Sequence, residues 1–131
     1  TGEERWRKAG ERQIRFLTGW IKEYPAGYGM SLIALSSVLY PSQELVCTAQ
    51  GEEAFQEVRD FLRRHSLPNL TVLLKCAKNE QELAAAAPFT AEYPLPQDGV
   101  RYYLCQNGTC AAPVQELDAV KQQLALSQQH D

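Results

Sequence analysis

The chain has 131 residues, 44% of them hydrophobic and 22% charged, with a formal net charge of -3. That composition suits one domain with a sizeable core and excludes a disordered chain. Lys and Arg are scattered, so no basic stripe serves nucleic acid or an anionic membrane; "MSLIALSSVLY" is about half the ~20 apolar residues that a spanning helix needs.

The pattern predicts a helix over about 3–24, with Trp6, Ile14, Leu17, Trp20, Ile21 and Tyr24 near one face at spacings of three and four. "YPAGYG" breaks it, and a second helix runs from about Tyr28 to Tyr40. Leu32, Ile33, Leu35, Val38 and Leu39 wrap most of the way round that second helix, so it needs apolar neighbours on most sides. One preceding helix cannot supply them, and with no initiator Met and no signal layout, the chain reads as a piece of a larger protein.

"ELVCTAQ" is the first strand, and residues 52–65 form an amphipathic helix with Phe55, Val58, Phe61 and Leu62 as its stripe. "LTVLLKCA" is the second strand, apolar enough to expect burial on both faces. Strand, helix and strand with short links make a βαβ unit with parallel strands. "NEQELAAAAPF" is a short helix with Asn79 as its cap and Glu82 completing a capping box, and "TAEYPLPQDG" reads as a surface loop. "VRYYLC" and "TCAAPV" flank Asn107-Gly108, a strong hairpin signal, with Pro113 placing the second arm at a sheet edge. Tyr102 and Tyr103 alternate across the sheet, so one of the two is expected in the core. "VQELDAVKQQLALS" closes as a helix with Leu117, Val120 and Leu124 facing in, and the tail ends with His130 in "QQHD".

The fold class is therefore α/β. A helical hairpin over 1–40 precedes a small domain over 41–131 of order β-α-β-α-β-β-α, a three-layer arrangement of thioredoxin-like or Rossmann-like kind. Thioredoxin chemistry needs a Cys-x-x-Cys at the start of the first domain helix, where the dipole stabilises a thiolate. This chain carries Gly51, Glu52 and Glu53 there, which leaves the place redox-silent and hostile to a phosphate.

Four cysteines stand at 47, 76, 105 and 110, too few for a disulfide-stapled secreted scaffold, so a reducing cytoplasm is expected. In a two-residue turn Gln106 pairs with Thr109, and Cys105 falls opposite Cys110 on a non-hydrogen-bonded rung with Cα atoms roughly 4.5 Å apart. Cys105 and Cys110 are thus the candidate redox pair. Reduced structural thiols, a reversible disulfide and a metal site are all open, in that order of preference. Zinc would need Cys47, Cys76 or His65 to converge on the pair, and these stand on buried strands and a helix end. His65 suits the helix terminus it ends. No cofactor site, metal site or catalytic acid–base pair is nominated, and the triplets at Asn69 and Asn107 are read as unmodified. Trp6, Phe16, Trp20, Tyr24 and Tyr28 are expected to pack as helix core.

Two stretches, "YPAGYGMSLIALSSVLYPSQELVCTAQG" and "YYLCQNGTCAAPV", resemble the carboxyl-terminal region of the thioredoxin-domain-containing proteins related to spermatogenesis-associated protein. Tyr103, Cys105, Asn107, Cys110, Pro113 and Val114 match that family's ending, and "SLPN" is close to its "FLPN". The likeness runs from about residue 20 to 125, and Gly108 departs from the family's usual aromatic. The resemblance implies an upstream thioredoxin domain and an α/α barrel similar to sugar epimerases and glycosidases, residues 1–40 being the barrel's last hairpin. It implies a non-catalytic α/β domain that caps or docks on the barrel, with the upstream domains as partners or a homodimer through the helical face. The alternative is accessory thiol–disulfide exchange through Cys105 and Cys110.

Overall fold

A computed structural model of the chain describes residues 3–40, 42–67, 69–106 and 109–128. The Asn107-Gly108 turn and His130 lie outside the described residues. The chain divides into two compact units, Thr1–Pro41 and Ser42–Asp131.

The first unit is a pair of helices, α1 (Glu4–Glu23) and α2 (Gly29–Leu39), joined by a 3-10 turn at Pro25–Tyr28. Pro25 at the start of that turn has no N–H to continue α1, which ends on the Tyr24 N–H bonded to the Trp20 carbonyl. Ile14 and Leu17 are half-buried and Ile21 is buried, in line with the 3.6-residue period. Four aromatics expected as helix core are not: Trp6, Phe16, Trp20 and Tyr24 are each more than half exposed. They flank the contact stripe, and among the described residues of the unit no third helix or strand covers them.

The second unit is a mixed four-stranded sheet of order β2-β1-β3-β4, built from β1 (Gln43–Thr48), β2 (Leu70–Lys75), β3 (Arg101–Gln106) and β4 (Thr109–Cys110). β1 runs parallel to β2 with Gln43 opposite Leu70, and antiparallel to β3 with Gln43 opposite Gln106. A 3-10 turn, Glu52–Phe55, leads into α3 (Gln56–Arg64); α4 (Glu80–Ala86) follows β2, and α5 (Leu117–Gln128) closes the unit. Alternation along β1 divides the core in two. Leu45, Cys47 and Ala49 face Phe55, Val58 and Phe61 around α3 and Leu117, Val120 and Leu124 of α5, joined by Tyr102 and Leu104. Val46 faces the other way, with Tyr103 and Cys105, against Leu73 and Tyr93.

Several expectations change here for physical reasons. β2 is an edge strand with only Lys75 fully buried, because β3 rather than β2 takes the central place beside β1. Tyr102 and Tyr103 do point to opposite faces, yet both are buried, since both faces are covered. Asn79 makes no side-chain cap to α4. Its amide instead bridges backward, donating to the Leu74 carbonyl and accepting from the Cys76 N–H at 2.8 Å each, which finishes β2. The second hairpin arm is only two residues long; the chain leaves the ladder and returns as a single bridge from Val114 to Tyr102.

The proline-rich stretch is the largest correction. A 3-10 turn, Pro88–Glu92, opens it, and Thr90 is fully buried. Lys75, itself 1% exposed, donates to the carbonyls of Thr90 (3.0 Å) and Tyr93 (2.8 Å) and pairs with Glu80 at 3.0 Å. Thr48 and Gln50 bind the carbonyls of Pro94 and Pro96 at 3.1 and 2.7 Å. The ends of two strands thus clamp the segment across the second sheet face, and Gly99, at a φ of 68° that side chains resist, turns it toward β3. No described helix is long and apolar enough to cross a membrane.

Candidate functional site

The site forms where β3 meets β4. Cys105 stands opposite Cys110 and Gln106 opposite Thr109, and the Ala111 N–H donates to the Leu104 carbonyl at 2.9 Å. That bond flanks the cysteine rung from outside, which makes Cys105 and Cys110 a non-hydrogen-bonded pair, the kind whose side chains approach most closely. Their Cα atoms are 3.8 Å apart and their sulfurs are joined, S–S 2.11 Å. The structure thus joins the pair as a cross-strand disulfide, one of the three states the sequence left open. The two sulfurs differ in environment: Cys105 is 3% exposed in the second core, whereas Cys110 is exposed.

Tyr93 completes the site and escaped the sequence reading. Its hydroxyl lies 3.0 Å from Cys110 Sγ and 3.5 Å from Cys105 Sγ. A disulfide has no proton to give, so the phenol is the donor. Its ring leans on Tyr103 with centroids 4.6 Å apart and meets the edge of Phe89 at 6.5 Å. The Lys75 bond to its own carbonyl fixes its backbone. Burial raises the Tyr93 hydroxyl above its ordinary range, with the charges of Glu92 and Glu44 and neighbouring Tyr103 adding to it, so it remains protonated and able to donate. The only available sequence signal was an aromatic inside "AEYPLP", which by itself is also what a solvated turn looks like.

Cys47 and Cys76 are free and buried. Burial pushes the Cys47 thiol up to about 12, which removes it as a nucleophile. His65 donates from Nδ1 to the Phe61 carbonyl at 2.9 Å and stacks on the Phe61 ring, closing α3. Among the described residues, no group of three or more His, Cys, Asp and Glu side chains is placed to hold a metal ion. At the redox-silent helix start, Glu52 pairs with Lys78 at 3.4 Å. On the α5 side of the hairpin a cavity of about 400 Å³ opens, lined by Gln43, Leu104, Gln106, Thr109, Ala111 and Gln123; the two cysteines border it, while their sulfurs lie on the opposite sheet face with Tyr93. No family model, curated protein or solved structure matches the chain.

Proposed function

We propose that the chain is the carboxyl-terminal region of a larger thioredoxin-domain-containing protein of the spermatogenesis-associated kind. Thr1–Pro41 would contribute to an α/α barrel, and Ser42–Asp131 would be a non-catalytic thioredoxin-like domain that docks on it. The observation that carries this reading is α2. Met30, Ile33, Val38 and Leu39 on its several sides are exposed, while the hydroxyls of Ser36 and Ser37 donate back to the Ile33 and Ala34 carbonyls at 2.8 Å. With its serines satisfied internally, α2 presents a surface that apolar helices can cover without stranding a polar group. The thioredoxin-like choice over a Rossmann-like one is favoured by the strand order β2-β1-β3-β4, with β3 antiparallel to its neighbours and α3 and α5 on one face.

Hydrogen exchange on the 131-residue chain tests the reading. Amides over 4–39 should exchange fast while β1 and β3 stay protected, and both regions should be protected in the longer protein. Hairpin protection equal to that of the sheet in the 131-residue chain would sink it, because the hairpin would then be complete as it stands.

The bonded pair and its tyrosine favour a second reading, accessory thiol–disulfide exchange through Cys105 and Cys110. Titration in glutathione buffers, read by mass after alkylation, should give a midpoint between roughly -200 and -300 mV, in range of cellular exchange. A pair that stays in one state across that range leaves the bond as a structural staple.

A further inference from the structure

Resting on the thiol–disulfide reading, we propose that the Cys105–Cys110 bond is a directional exchange site for a dithiol donor, with attack at Cys110, departure of Cys105, and the Tyr93 hydroxyl as hydrogen-bond donor to the departing sulfur. Exposure sets the direction. An incoming thiolate reaches the exposed Cys110, whereas Cys105 is 3% exposed behind it. The attacking sulfur bonds to Cys110 Sγ, the Sγ–Sγ bond breaks, and its electron pair leaves on Cys105 as thiolate. A second thiolate from the donor then attacks the donor's own sulfur in the mixed disulfide and releases Cys110. The donor pair is oxidised to a disulfide, Cys105 and Cys110 gain two electrons, and the two protons come from the donor thiols.

A thiolate released at a buried position is a poor leaving group unless something donates to it, since desolvation disfavours the charge. Tyr93 is placed for that task. Its hydroxyl already reaches both sulfurs, so passing its hydrogen bond from Cys110 to Cys105 needs only rotation of the O–H. Its raised pKa keeps that proton in place when the thiolate forms.

The test uses the 131-residue chain with reduced glutathione and, as a smaller thiol, 2-mercaptoethanol. After a short reaction quenched with N-ethylmaleimide, peptide mass spectrometry should find the glutathione adduct on Cys110 about tenfold more often than on Cys105; an even split or the reverse overturns the direction. Tyr93→Phe keeps the ring on Tyr103 and should slow reduction by both thiols about tenfold, the scale of one charge-assisted hydrogen bond. Unchanged rates, with the oxidised variant melting like the parent, overturn the donor role. Should neither thiol reduce the wild-type pair, the redox reading itself fails and this inference with it.

Discussion

Leu39 and Leu45 are a few residues apart in the chain, yet Leu39 is 67% exposed and Leu45 is fully buried. The hairpin is built from good helix periodicity, and among its described residues Ile21 is the only buried hydrophobic. The α/β unit uses no more apolar chain per element, but its sheet offers two faces and each is covered. Secondary structure follows from local pattern, whereas burial follows from having a partner on the other side. In the hairpin the pattern is present and the partner is not. This is why the same side chain is worth so much in one unit and so little in the other.

The contrast can be broken most directly at the core. Phe55→Ala, at a ring 1% exposed in the core cluster shared by the sheet, α3 and α5, should cost roughly 3–5 kcal/mol in urea unfolding followed by circular dichroism. A loss below about 1 kcal/mol would mean that this core is not packed as described. Lys75→Ala should cost roughly 2–4 kcal/mol by the same measurement, because two backbone acceptors lose a charged donor and Glu80 loses its partner. It should also raise hydrogen exchange over 88–96, and a change confined to overall stability would show that the clamp is not local.

Alkali should act on the α/β unit. Burial holds the Cys47 thiol up at about 12 from an ordinary 9.0, and burial, reinforced by nearby Cys47, Glu57 and Glu116, holds the Tyr102 phenol up at about 12 from 10.0. Both groups are neutral when protonated, and the unfolded chain ionises first. Their contribution is therefore whole below pH 9 and is lost as pH climbs from 9 toward 12. Melting temperature should fall through that window, and less so for Cys47→Ala than for the parent after correction for its lower starting point. The smallest effect belongs to the hairpin. Ile33→Asp, at a side chain 63% exposed, should change stability by no more than about 0.5 kcal/mol in this chain. A large loss there would place a covering element on α2 and erase the difference between the units.

The mix of helices and strands was legible because the period-3.6 and period-2 stretches are separated by Pro and Gly, and the register that sets Cys105 against Cys110 followed from the hairpin signal. Strand order was not legible. "LTVLL" reads as a central strand, and what makes β2 an edge is the placement of β3, roughly thirty residues later, on the far side of β1. The clamp was hidden for the same reason. Nothing near Thr90 or Tyr93 announces burial; the cation that recruits their carbonyls arrives from β2. Tyr93 thus joined the site through Lys75 and Tyr103, contacts between distant positions that no local pattern encodes.

The brevity of β4 has a consequence for how this protein behaves in a crowd. An outer strand with a long row of bare amides invites another chain to extend the sheet, the first step toward edge-to-edge growth. Here two residues of ladder are followed by departure through Ala111–Pro113 and a single return bridge at Val114, with a proline that has no amide to lend. The cross-link at Cys105–Cys110 fastens the short strand in place. On this side the sheet offers a newcomer almost nothing to copy, and any stacking of molecules into fibres would have to begin at β2.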